Sequence, residues 1–239
     1  MSVSFPAQPV SPPLYPPHAG QMPWSPPLGQ YAPDAPVGRW LKRAFDIVGA
    51  LAILLLILPL LPLLAVAVWL DGGPAFYRHT RVGFRGRTFG CLKYRTMVPA
   101  ADQKLAQHLA DHPEAAAEWA SRRKLTHDPR ITRIGATLRA TSLDELPQLF
   151  NVLTGEMSLV GPRPVVKEEL DQHYGADAAA YITARPGITG LWQVSGRSDT
   201  SYIERVGLDT AYAKGWSFLL DLKILLRTVP AVLSRRGAA

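Results

Sequence analysis

The sequence predicts a mostly helical α/β protein, small and monotopic, held to a membrane by a proline-broken helix. Three observations predict it. Residues 47–70 form a run of 24 without one charge, interrupted by Pro59 and Pro62. A Gly/Arg-rich turn (Val82-Gly-Phe-Arg-Gly-Arg87) separates two short aromatic-containing strands. The remainder alternates Ala/Glu/Gln/Lys-rich and Leu-rich stretches of helical composition with Gly/Pro-rich turns.

The chain has 239 residues, enough for one sizeable core. Residues 1–38 read as a disordered, partly polyproline-II tail. Their first 36 residues hold 11 of the 22 prolines, and Asp34 is the one charged side chain. Proline lacks the N–H that helices and sheets use, and the apolar residues there follow no helical or strand period. The tail has neither the basic start nor the apolar centre of a signal peptide. Residues 39–239 therefore carry 26 basic against 18 acidic side chains, a balance that suits an anionic partner. One cysteine, Cys91, excludes an internal disulfide framework, and it shows no zinc spacing with the six histidines.

Residues 39–73 are the anchor. A straight helix over residues 47–70 would measure about 36 Å against a hydrocarbon core of about 30 Å. The two prolines remove i→i−4 bonds in its middle, which predicts a sharp bend. Arg39, Lys42 and Arg43 precede the run, and Arg78, Arg81, Arg85 and Arg87 follow it. Positive charge stays on the cytoplasmic side, and here both flanks claim it. A re-entrant segment that returns to the face it entered satisfies both ends; a kinked spanning helix is the alternative.

Residues 74–239 form the globular body. Residues 76–77 and 89–94 read as a hairpin, 100–124 as a helix interrupted at Pro113, and 143–153 as a second helix. Residues 168–183 read as helical pieces around Gly175, and 201–233 as one or two helices. The last stretch is basic and amphipathic, with Trp216 and Phe218, and fits either a headgroup layer or the protein's own core.

Candidate chemistry is densest at Arg139-Ala-Thr-Ser-Leu-Asp-Glu-Leu-Pro147. On a helix, Asp144 and Glu145 point about 100° apart, which leaves room for one to face a reacting atom while its neighbour holds a metal ion. Two plain helix starts compete with that reading. Ser142-x-x-Glu145 is a capping-box pattern, and Asp144 as cap puts Pro147 in the first turn. The surroundings favour chemistry. Gly161-Pro-Arg-Pro164 mounts Arg163 stiffly between prolines, Arg185 and Arg197 sit in Gly-rich turns, and Lys93 and Arg95 follow the hairpin. Cations, turn glycines and paired acids beside an anchor suggest phosphoryl transfer to a lipid.

From Arg43-Ala-Phe-Asp46 to about Val232 the sequence resembles the bacterial sugar transferases, the polyprenyl-phosphate hexose-1-phosphate transferases. The resemblance is carried by the proline-broken segment and five motifs: Leu92-Lys-Tyr-Arg-Thr-Met97, Thr141-Ser-Leu-Asp-Glu-Leu-Pro-Gln-Leu-Phe-Asn-Val152, Ser158-Leu-Val-Gly-Pro-Arg-Pro164, Arg185-Pro-Gly-Ile-Thr-Gly190 and Phe218-Leu-Leu-Asp-Leu-Lys223. It implies a monotopic enzyme on the cytoplasmic face of the bacterial inner membrane. The reaction implied is transfer of a hexose 1-phosphate from a UDP-hexose to undecaprenyl phosphate, with UMP released and Mg²⁺ as cofactor. Membrane lipids are then partners, and the product initiates exopolysaccharide, O-antigen or glycoconjugate synthesis. Asp144 matches the nucleophile, Glu145 the magnesium ligand, Arg139 a catalytic arginine and Arg163 the phosphate-binding arginine. Lys93, Arg185, Arg197 and Asp209 align with further substrate-binding positions. Gly190-Leu-Trp-Gln-Val-Ser-Gly-Arg197 is closer to members using galactose or glucose than to those using N-acetylated sugars. The lipid-like segment argues against a nucleic-acid binder. The alternative function is a catalytically inactive, membrane-tethered scaffold recruiting partners through the tail. Homo-oligomer formation stays open.

Overall fold

The computed structural model describes residues 36–122, 125–196 and 201–233, so the predicted tail up to residue 35 and Arg197 lie outside the described residues. Helix α1 (Arg39–Ile57) starts after Gly38, whose φ of 77° is a left-handed turn. Lys42, Asp46, Ala50 and Leu54 recur every fourth position and are its buried stripe. Beyond Ile57 the chain bends by 67° into α2 (Leu60–Leu70). No single helix among the described residues is long and apolar enough to cross a membrane; the bent pair together passes that test by length and composition alone.

The bend uses the prolines differently from the expected mid-helix break. Pro59 is the N-cap of α2 and Pro62 its third residue, so both occupy a new first turn where no intrahelical N–H is needed. Tyr94 Oη donates to the Leu61 carbonyl (2.8 Å). At the other end of α2 the Arg95 guanidinium donates to the carbonyls of Val68 and Pro74 (2.7 and 2.9 Å). Both helices leave a broad apolar surface exposed, including Leu51, Leu55, Leu56, Leu63, Val66 and Trp69.

Strands β1 (Phe76–Val82) and β2 (Thr88–Tyr94) pair antiparallel, Phe76 opposite Tyr94 and Val82 opposite Thr88. The expected helix over 100–124 is two, α3 (Ala101–Asp111) and α4 (Pro113–Arg122), with Pro113 opening the second. Helix α5 (Arg133–Thr141), capped by Thr132, was not anticipated. The expected helix over 143–153 is instead a 3₁₀ turn (Leu143–Glu145) followed by α6 (Gln148–Thr154).

Strand β3 (Ser158–Val160) lies parallel to β4 (Gly187–Thr189), a pairing the sequence did not announce. Short helical pieces make the crossover: α7 (Lys167–Glu169), a π turn (Leu170–Tyr174), a 3₁₀ turn (Gly175–Asp177) and α8 (Ala178–Tyr181). Gly187 is required here, because a Cβ on it would stand 2.1 Å from the Gly161 nitrogen. Helix α9 (Leu191–Ser195) precedes α10 (Tyr202–Lys214) and α11 (Phe218–Leu233), which resolve the one or two helices expected over 201–233 into two. Helix α11 buries Asp221 and Ile224 while exposing Leu219, Leu226 and Val229, so it packs on the core and still presents an apolar face.

The main core joins Ala50 and Leu54 of α1 to Phe89, Cys91, Leu149, Val152, Leu159, Tyr212 and Ile224. Polar links fix α1 to this body. Lys42 Nζ meets Asp221 at 2.6 Å, both buried. Asp46 accepts from Ser158 Oγ and the Leu159 N–H (2.9 and 3.0 Å). Arg43 donates to the Val152 and Leu153 carbonyls at the end of α6.

Candidate active site

Asp144 and Glu145 sit on the 3₁₀ turn between α5 and α6. Ser142 is left-handed (φ 57°) and its side chain caps nothing; the N-cap of α6 is Pro147. Neither helix-start explanation for the two acids is realised. They are held by a cation instead: Lys93 Nζ lies 2.6 Å from Glu145 Oε1 and 3.7 Å from Asp144 Oδ2. The hairpin places that cation. Lys93 lies opposite Tyr77, on the face carrying Cys91 and His79, then Phe89 and Arg81.

Asp144 is 8% exposed, while Glu145 reaches solvent. Burial pushes the Asp144 carboxyl above its ordinary value; Lys93 pulls it down, Glu145 pushes it up again and Arg139 lowers it. Burial alone would lower the Lys93 ammonium, but Glu145 and Asp144 outweigh it and hold it above the usual lysine value. Arg139, in the last turn of α5, is steered by its Nε bond to Thr96 Oγ1 (2.9 Å). Burial lowers its proton affinity, and Asp144 opposes that. Lys93, Asp144, Glu145 and Arg139 thus form one cluster.

Arg163 belongs to a second cluster. Its backbone is pinned on both sides: its N–H donates to Asp209 Oδ1 (3.4 Å) and its carbonyl accepts from Tyr181 Oη (3.1 Å). Its guanidinium lies over the Trp192 ring, 5.2 Å from the centroid. Arg205 lies over the same ring at 4.2 Å. Asp209 is fully buried and accepts from Tyr174 Oη (2.8 Å). Burial pushes its carboxyl up to about 7, against the Tyr174 hydroxyl and the Arg163 N–H. Asp209 therefore supports the Arg163 loop from inside. Arg185 stands apart from both clusters, its Nε donating to Gly155 O (2.7 Å) just past α6.

A further charged group lies on the Lys93 face of the hairpin. Arg81 donates to His79 Nδ1 (2.9 Å) and meets Glu169 Oε2 at 3.5 Å. Burial depresses the His79 imidazole, and Arg81 and Lys93 add to the effect.

Residues 37–235 match the family described as bacterial sugar transferase. The chain belongs to that family. It is 50% identical over 204 residues to the exopolysaccharide production protein ExoY of Rhizobium meliloti, covering 85% of this chain and 90% of that one. It is 52% identical over 200 residues to the undecaprenyl-phosphate galactose phosphotransferase of Salmonella typhimurium, covering 84% of this chain and 42% of that one. It is 45% identical over 206 residues to the UDP-glucose:undecaprenyl-phosphate glucose-1-phosphate transferase of Caulobacter vibrioides, covering 82% and 71%. The chain thus spans most of ExoY and less than half of the Salmonella protein.

For a sugar transferase the paired acids pose a definite question about metal. Among the described residues no group of three or more His, Cys, Asp or Glu could hold an ion. Two adjacent carboxylates fit Mg²⁺ in its common enzymatic mode, where one or two carboxylates act with substrate phosphates and water. They do not fit a cage built from protein alone. The sequence reading did not place His79, Tyr202 or Arg205 in the site, named Arg81 only as a flanking charge and Trp192 only within the Gly190–Arg197 motif. For His79 and Arg81 a signal existed: from Lys93, the hairpin register leads to both along one face.

Proposed function

We propose that this chain transfers a hexose 1-phosphate, galactose or glucose, from a UDP-hexose to undecaprenyl phosphate with release of UMP. It does so at the cytoplasmic face of the bacterial inner membrane. The observation that carries the reading is the buried Asp144, free of any capping duty and set beside the Lys93–Glu145 pair. The names of the Salmonella and Caulobacter relatives supply the acceptor and the two sugars.

The Asp144 carboxylate attacks the sugar-bearing phosphorus. The bond from that phosphorus to the bridging oxygen breaks, and its electron pair leaves with UMP. An acyl phosphate joins Asp144 to the hexose phosphate. An oxygen of undecaprenyl phosphate then attacks the same phosphorus, and the Asp144 carboxylate is released with both oxygens intact. Glu145, with Asp144 beside it, would hold Mg²⁺, which supplies charge neutralisation on the diphosphate when bound. Lys93 keeps Asp144 ionised and orients Glu145; Arg139 and Arg163 oppose phosphate charge. A screen of UDP-sugars with polyprenyl phosphate tests the reading. UMP release with UDP-galactose or UDP-glucose is expected, and none from any UDP-hexose would end it.

Lys93→Met isolates the electrostatic role. Asp144 works ionised, burial already raises its pKa, and Lys93 lowers it. Removing the cation raises it further, so the acid limb of kcat/KM moves to higher pH. An unmoved limb would show that another group sets it.

For the anchor we infer a re-entrant arrangement. The 67° bend, the first-turn prolines and the basic residues at both ends support it. Single cysteines placed near positions 40 and 80 should both be labelled from the cytoplasmic side. Labelling from opposite sides would establish a spanning helix.

A further inference from the structure

The geometry points to an anion seat beside Trp192, in which Arg205 and the Tyr202 hydroxyl act with Arg163 to grip the oxygens of a phosphate ester. The inference deepens the proposed function and rests on it for the identity of that ester.

Two guanidiniums share one indole: Arg163 at 5.2 Å and Arg205 at 4.2 Å from the Trp192 centroid, with Arg205 also 5.2 Å from the Tyr202 ring. Stacking orients guanidiniums but does not cancel their charge. Asp209 and Glu169 act on it electrostatically, but each has closer partners of its own. Glu169 meets Arg81 and accepts from the Val166 N–H (3.3 Å). Asp209 is occupied by Tyr174 and by the backbone of Arg163. Glu204 turns back to cap α10 through Ser201. Among the described residues neither guanidinium forms an ion pair.

Two polar atoms in the same place are buried without any hydrogen-bond partner: Arg205 Nε and the Tyr202 hydroxyl. Buried polar atoms are nearly always paired in a folded protein, so two orphans beside two guanidiniums that form no ion pair among the described residues mark a missing acceptor. The acceptor must be anionic and must offer several oxygens to two arginine forks and one hydroxyl. A phosphate or diphosphate ester does this, and guanidinium forks match its geometry. The Arg163 backbone, held on both sides, gives the seat a fixed wall. Burial and the neighbouring Arg163 both lower the proton affinity of Arg205, the condition that a bound anion relieves.

The diphosphate of the donor and the phosphate of the acceptor share this chemistry, and kinetics with the full chain in nanodiscs separates them. Arg205→Ala should weaken binding of inorganic pyrophosphate and raise the KM of one substrate by about tenfold to a hundredfold, the loss of a charged hydrogen-bonded contact. The value of kcat should change far less. Arg205→Lys should recover only part of the loss, because a point charge lacks the fork. Tyr202→Phe, which keeps the ring, should cost a few-fold by the same measure. A raised KM for UDP-hexose assigns the seat to the donor, and a raised KM for undecaprenyl phosphate assigns it to the acceptor. Unchanged pyrophosphate affinity and unchanged KM values in Arg205→Ala would overturn the seat, as would a loss confined to kcat. If Arg205→Ala does not fold, Arg205→Gln and Tyr202→Phe decide by the same readings. Absence of turnover in the wild-type protein would count against the proposed function, while pyrophosphate binding would still judge the seat.

Discussion

Asp144→Asn is expected to abolish turnover, on the order of 10⁴-fold or more, as removal of a nucleophile does. The more diagnostic loss is the burst. With UDP-hexose and Mg²⁺ but no lipid, the wild-type protein should release UMP in proportion to enzyme, because the hexose phosphate is parked on Asp144. Asparagine keeps the size of the side chain and removes the nucleophile, so burst and turnover should vanish together. Glu145→Gln should also cripple turnover, by weakening Mg²⁺, and excess Mg²⁺ should restore part of it. A capping role for Glu145 would make glutamine mild, but Ser142 makes no cap bond and Glu145 is bound to Lys93. Full activity in Asp144→Asn, or UMP release that strictly requires the lipid, would replace the covalent route with direct attack by the acceptor.

The readable parts of this molecule were those fixed by local chemistry. The prolines at 59 and 62 announce a bend because they remove donors, whatever packs around them. The Gly/Arg turn announces a hairpin for similar reasons. The Asp144–Glu145 pair stood out by residue type, yet its setting was misread as helix: Ser142 turns left-handed and Pro147 begins the next element, which leaves a 3₁₀ turn. The parallel strands were invisible because each is three residues long and its partner lies about thirty residues away. Distance also explains what the sequence could not place. Asp209 aligned with substrate-binding positions, and α10 buries it against Tyr174 and beneath the Arg163 backbone. Arg205 is an ordinary helical arginine in the sequence. Only the packing of α9 against α10 brings it over Trp192.

Lys42→Met should destabilise the protein by about 3–5 kcal/mol, the usual cost of orphaning one half of a buried ion pair. Lys42 and Asp221 are 4% and 0% exposed and 2.6 Å apart, joining the first turns of α1 and α11. Without the ammonium, Asp221 keeps only the Tyr212 hydroxyl and the Trp216 indole N–H as donors (2.7 and 3.0 Å), two neutral groups for one buried charge. Asp221→Asn on that background removes the buried charge and keeps one oxygen, enough for the Tyr212 hydroxyl but not also for the Trp216 N–H. The double variant should therefore be more stable than Lys42→Met alone, and the two changes should be strongly non-additive. Denaturant unfolding of the detergent-solubilised protein measures all three variants. Additive losses, or a Lys42→Met cost below about 1 kcal/mol, the range of a surface pair, would show that the pair does not hold the anchor to the body. The same pair bears on topology. Lys42 was counted among the basic residues expected to keep the start of α1 cytoplasmic, but its charge is neutralised inside the fold by Asp221. On the proposed topology that duty falls to Arg39, which is exposed, and to Arg43, whose charge is bound to carbonyls but not cancelled. Arg39→Glu should then disturb the orientation of α1 more than Lys42→Met does, with the cysteine near position 40 as the reporter.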